Sequence, residues 1–125
     1  MAEIGARKVR ITVVKKLNAR DILDEDLQAM SPGIVKNEPE CPLFEVGDFF
    51  IVDGPGGMPK DFPCAWAYGD IYKEVVHLAF GGSFPWMHHG DRILACCTDG
   101  LRPVLFKLEG VGPANTGDSD PCSER

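Results

Sequence analysis

At 125 residues, 44% of them hydrophobic and 26% charged, the chain is long enough for one domain whose core stands without disulfides or structural zinc. Its 13 basic and 19 acidic side chains leave a net charge of −6, and no basic run is longer than Lys15-Lys16, which argues against nucleic-acid binding, since neutralising phosphates takes a basic stripe. No stretch reaches the roughly 18 apolar residues of a membrane span, and residues 1–16 have neither the apolar core nor the cleavage pattern of a signal peptide, so a soluble, cytoplasmic protein with no membrane role is expected.

In chain order, KVRITVVKKL (8–17) alternates, with Val9, Ile11 and Val13 on one side, and its β-branched content predicts a half-buried strand. ARDILDEDLQAM (19–30) follows, with Ile22, Leu23, Leu27 and Met30 at roughly helical spacing and acidic residues near its start, the pattern of a short amphipathic helix. SPGIVKNEPE (31–40) is punctuated by Pro and Gly and reads as a loop. A turn at Val46-Gly47-Asp48 then leads into a buried strand from Phe49 to Val52, and the Gly- and Pro-rich stretch 54–63 reads as a surface loop of the kind that carries binding residues. In 64–82, Ile71, Val75, Leu78 and Ala79 recur at i, i+4, i+7 and i+8, with Asp70 as the expected N-cap and Gly81 as the stop, which predicts a second helix. RILACC (92–97) and RPVLFKLEG (102–110) read as strands flanking Asp99-Gly100, a strong hairpin signal.

The predicted order is strand, helix, strand, helix, strand, strand. It describes one small α+β domain over 8–110, with two helices against a mainly antiparallel sheet. Residues 1–7 read as an N-terminal extension. Residues 111–125 lack large apolar side chains and read as a disordered tail.

CPLFEVGDFFIV, WAYGDIYKEV, GGSFPW and ACCTDGLRPVLFKLE together resemble an uncharacterised family of short microbial proteins, whose pattern joins a CPLF segment, a Trp followed by DIY, and a CCTDGLRPVxFK ending. The resemblance spans about 8–109. It implies a domain boundary and no mechanism, and it leaves Cys122 outside the shared pattern.

Five cysteines in a reducing compartment read as thiols or metal ligands, and an odd count leaves one unpaired in any disulfide scheme, most simply Cys122. Cys41, Cys64, Cys96 and Cys97 lie inside the domain. Soft thiolates suit zinc, copper(I) or an iron–sulfur cluster, although no CxxC pair of a zinc finger or ferredoxin is present. On a regular strand Cys96 and Cys97 point to opposite faces, so one of them joins a site. The economical set is Cys41, Cys64 and Cys97 with His88 (or His89) as the fourth ligand. The simpler reading makes each thiol a small buried hydrophobe. It explains less well why Cys41 and Cys64 each neighbour a proline in loop-like segments.

Asp70, Glu74 and His77 fall at i, i+4 and i+7 and share a helix face, with Trp66 one turn earlier. As a bland reading this is a solvated face. As a catalytic one, Cys97 or Cys64 acts as nucleophile with His77 and Asp70 as acid–base partners. Arg102, held extended before Pro103, reads as a carboxylate binder or as half of a surface pair with Asp99. Trp86 and Met87 are placed to close a hydrophobic pocket. The glycine clusters lack the strand-to-helix context of a phosphate loop. The leading expectation is therefore a small metal-binding or redox-associated cysteine-site protein, accessory to a larger enzyme, with zinc or an iron–sulfur cluster as cofactor. The alternatives are a thiol-dependent lyase or isomerase acting on a small-molecule ligand, and a non-catalytic interaction module with structural thiols.

Overall fold

A computed structural model of the chain describes residues 7–54 and 57–113. Strand β1 (Arg7–Lys16) is followed by three short helices, α1 (Ala19–Ile22), α2 (Glu25–Gln28) and α3 (Pro32–Asn37). Strand β2 (Phe49–Val52), the long helix α4 (Ala65–Ala79), β3 (Arg92–Cys96) and β4 (Val104–Pro113) complete the order. The four strands form one sheet in the order β2-β1-β4-β3, and every neighbouring pair is antiparallel. The expected α+β class with an antiparallel sheet is what the chain adopts; the helix count differs.

Alternation in β1 sets the sheet's two faces. Val9, Ile11 and Val13 are buried, and they meet Val52, Phe50, Leu108 and Phe106 across the ladders. A register shift between Val13 and Lys15 marks a bulge where β1 leaves the core. Ile71, Val75 and Leu78 present the apolar stripe of α4 to this face and are fully buried. At the β2 side of the core, the rings of Phe44, Phe50, Phe62 and Phe106 pack edge-on or tilted, with centroids 4.9–6.2 Å apart.

The helix expected over 19–30 is two single turns. Asn18 Oδ1 accepts from Arg20 N and caps α1, and Asp24 Oδ1 accepts from Leu27 N and caps α2, both at 2.9 Å. Capping holds Asp24 extended (φ −78°, ψ 177°), and an extended residue ends the first helix as it starts the second. The segment read as a loop, 31–40, contains α3, which Pro32 favours at the first helical positions.

Helix α4 begins at Ala65, and its N-cap is Cys64, whose Sγ accepts from Ala67 N at 3.4 Å; Asp70 lies inside the helix. Its last turn ends at Gly81 (φ 86°), the expected stop. The Arg7 guanidinium donates to Leu78 O (2.7 Å) and Gly82 O (2.9 Å), placing a cation against the orphan carbonyls there. Strand β4 runs through Val111 and Gly112 to Pro113, because Arg7 and Lys8 of β1 supply the pairing partners; the rest of the expected tail, with Cys122, lies outside the described residues. No described helix is long and apolar enough to cross a membrane.

Candidate functional site

Three distant segments meet at the N-terminal end of α4. Cys64 is positioned by the helix start itself. Cys97 follows β3, where its N donates to Val104 O (3.1 Å) and its Sγ accepts from Val104 N (3.3 Å). Cys41 sits beyond α3 on a stretch tied back to the start of α1: Ala19 N donates to Pro39 O, and the Arg20 guanidinium donates to Val35 O and Lys36 O. Between them lies a cavity of about 340 Å³, within the range of small-molecule sites. Leu43, Phe44, Trp66, Ala67 and Val104 supply most of its wall, and Asp99 and Arg102 are its charged members.

The paired thiols divide as strand alternation requires. Cys97, half-buried against the core, lines the cavity. Cys96 is exposed, but its sulfur lies against the backbone and donates to Cys97 O at 3.2 Å. That local burial, with the neighbouring Cys97 thiol and the Asp70 carboxylate, pushes the Cys96 thiol up from its ordinary value.

Asp70 does not meet a thiol as an acid–base partner. Both of its oxygens serve Thr98, accepting from Thr98 N (2.7 Å) and Thr98 Oγ1 (3.0 and 3.1 Å), while Thr98 Oγ1 in turn accepts from Trp66 Nε1 at 2.8 Å. The carboxylate therefore braces the turn after β3 on the helix and sets where Cys97 points. Neither is His77 part of the cavity. It stands two turns further along α4, about 10 Å of rise from Asp70, where Nε2 donates to Ser83 O at 2.9 Å and the ring packs on Phe84 at 4.8 Å. The grouping Cys97, His77 and Asp70 is split between the two ends of one helix.

The expected metal set is also divided. Cys41, Cys64 and Cys97 do line one cavity, but His88 stacks edge-on against His89, with ring centroids 4.6 Å apart, on the loop after Phe84 and away from it. Among the described residues no group of three or more His, Cys, Asp or Glu side chains is placed to hold a metal ion. Three thiols sharing a wall are not three thiols converging on a point.

Arg102 has a larger part than a surface pair. Asp99 Oδ1 accepts from Leu101 N and Arg102 N, an Asx turn that fixes the Arg102 backbone. The guanidinium reaches Glu38 through Nη1 (3.2 Å to Oε1), and its Nε stands 3.7 Å from Asp99 Oδ2. That Nε is buried and has no hydrogen-bond acceptor among the described residues. The local signal for this arrangement was present in TDGLRP; Thr98, Leu43 and Phe44 carried no local signal, because their roles depend on elements far off in the chain.

Fold and cavity together define a small α+β protein with a ligand-sized, thiol-lined cavity at a helix N-terminus. The chain matches no family model, no curated protein and no solved structure.

Proposed function

We propose that the protein binds a small, mainly apolar molecule bearing a carboxylate and presents the Cys64 thiol to it as a nucleophile. The observation that carries this reading is the gathering of Cys41, Cys64, Cys97 and the Arg102 side chain in one cavity. Trp66, Leu43 and Phe44 offer the apolar body of the ligand its contact area. An arginine that already leans on Glu38 and Asp99 is held in place, which lowers the entropy lost when a carboxylate docks on it.

Of the three thiols, Cys64 is favoured as the reactive one. It sits at the positive end of a fifteen-residue helix and accepts an N–H from Ala67, and both features stabilise negative charge developing on sulfur. In a reducing, cytoplasmic setting the described cysteines stay as the free thiols they are here. Metal or cluster binding has less support, since the described ligands share a wall without converging. A lyase or isomerase reading keeps its thiol but loses His77, which faces another groove.

A pair of alkylating probes tests the proposal. Iodoacetate and iodoacetamide both alkylate a thiolate at their CH₂ carbon with loss of iodide, leaving a carboxymethyl or a carbamoylmethyl thioether, and they differ only in carboxylate against amide. With peptide mapping by mass spectrometry, Cys64 is expected to react with iodoacetate several-fold faster, relative to iodoacetamide, than a free cysteine peptide does. Arg102→Gln is expected to erase that preference and leave the iodoacetamide rate unchanged. Equal relative rates at Cys64 in the native protein would overturn the carboxylate reading, and slow alkylation of Cys64 by both reagents would overturn its role as nucleophile.

A further inference from the structure

The groove at the other end of α4 has a different chemistry from the thiol cavity. It encloses about 730 Å³ and is lined by Glu74, His77, Phe84, Trp86 and Leu94, with Lys73 at its edge. None of the residues assigned to the carboxylate site belongs to it.

We infer that this groove is a second binding site, for an organic ammonium ion. Glu74 supplies the charge. Its Oε1 is shielded from solvent and has no hydrogen-bond donor among the described residues. Its Oε2 is held by the Lys73 ammonium at 2.9 Å, and Lys73 is 85% exposed, so this partner swings into water at little cost when another cation arrives. Oε2 is the oxygen an incoming cation meets: an organic ammonium takes the place of Lys73 there with a charge-assisted hydrogen bond, and the shielded, donorless Oε1 adds to the carboxylate's demand for that cation.

Aromatic rings supply the second half of the recognition. Trp86 is 72% exposed, an unusual placement for so large a ring, and it meets Phe84 edge-on at 5.5 Å. The exposed indole and the Glu74 carboxylate therefore line the same groove. Ring faces attract cations through their quadrupole, Trp most strongly, and a carboxylate beside an open indole is the pairing that selects an ammonium over a neutral body of the same shape. The His77 ring closes the base of the groove. Donation to Ser83 O fixes its Nε2 as the protonated nitrogen, and packing on Phe84 holds the ring. Leu94, exposed on β3, gives the alkyl portion of the ligand its contact.

The two tryptophans of the chain report on the two ends of α4 separately, since Trp66 lines the thiol cavity and Trp86 lines this groove. The protein labelled with ¹⁵N is titrated with n-butylammonium chloride at constant ionic strength, and the two indole N–H signals are followed. A saturable shift of the Trp86 signal with the Trp66 signal unmoved is expected, and n-butanol, the neutral analogue, is expected to produce none. Glu74→Gln is expected to weaken n-butylammonium binding at least fivefold while the Trp66 signal, unchanged, reports an intact fold. Should that variant fail to fold, Trp86→Leu at its exposed position serves instead, read through the His77 ring protons, with the same expected loss. The proposal is overturned by any of three results: no saturable Trp86 shift, an equal response to n-butanol, or unaltered affinity in the variant that folds.

Discussion

The two ends of α4 carry opposite chemistries on one rigid element. At the N-terminal end the helix dipole is positive, the side chains are thiols, and the nearby cation is the Arg102 guanidinium, paired with Glu38 but with its Nε short of a hydrogen-bond acceptor among the described residues. At the C-terminal half the group short of a partner is a carboxylate oxygen of Glu74, set among Phe84, Trp86 and His77. An amphipathic helix has more to do than bury its apolar stripe: Ile71, Val75 and Leu78 anchor it to the sheet, and the residues at its two ends remain available to build separate sites. The polar residues Asp70, Glu74 and His77 share a face, yet each has a different partner: Thr98 across the fold, the adjacent Lys73, and the carbonyl of Ser83.

Phe44 is the residue whose loss should break the comparison most severely. It is 1% exposed, touches Phe50, Phe62 and Phe106, and forms a wall of the thiol cavity. Phe44→Ala is expected to lower unfolding free energy by about 3–5 kcal/mol, the usual range for truncating a core aromatic, as measured by urea denaturation. A loss below about 1 kcal/mol would mean that the cavity wall is not part of the core.

A second substitution acts on the opposite end alone. A Cβ added at Gly82 falls 2.4 Å from His77 Nε2, a separation that forces the imidazole to move. Gly82→Ala is therefore expected to break the hydrogen bond to Ser83 O and cost about 1–2 kcal/mol, with the His77 ring proton signals displaced and the Cys64 alkylation rate unaltered. Coupled changes at Cys64 would show that the two ends are not independent.

Asp70→Asn probes the brace at the cavity end. The amide keeps one acceptor oxygen where the carboxylate offers two, so the charge-assisted donation from Thr98 weakens; because the site is solvent-facing, a loss of about 1 kcal/mol is expected. The Trp66 indole N–H signal should shift, since Thr98 Oγ1 is its acceptor. An unmoved Trp66 signal would separate the indole from the brace.

The smallest effect concerns the paired thiols. Cys96 is pushed up by local burial, by Cys97 and by Asp70, so its protonated, unreactive form persists to higher pH. Its alkylation rate is expected to keep climbing as pH passes 9.0, the ordinary thiol value used as reference. A plateau reached below that pH would show that the sulfur is not shielded.

Much of the fold was legible because it is written locally. Val9, Ile11 and Val13 alternate as a half-buried strand must, the spacing of Ile71, Val75 and Leu78 is helical, and β3 and β4 pair antiparallel on either side of Asp99-Gly100, although the connection between them runs over seven residues and is not a tight two-residue turn. Local signals also misled. Periodicity over 19–30 concealed the capping preference of Asp24, and Asp70 looked like a cap because the apolar spacing starts at Ile71, seven residues after Cys64, a rarer capping residue. Of the candidate site, Cys41, Cys64 and Cys97 line one cavity, His77 lines another groove and Asp70 is taken up by Thr98; helical spacing put Asp70 and His77 on one face but carried no information on which elements pack beside it.

The amino-acid sequence by itself determined the alternating strands, the apolar stripe of the long helix and that the two adjacent thiols must face opposite ways, all consequences of short-range periodicity and backbone preference. Only the tertiary structure decided the order β2-β1-β4-β3, the joining of Cys41, Cys64 and Cys97 around one cavity, and the placing of His77 at the far end of α4. Those outcomes depend on which apolar faces bury one another across long stretches of chain, and no local pattern encodes that choice.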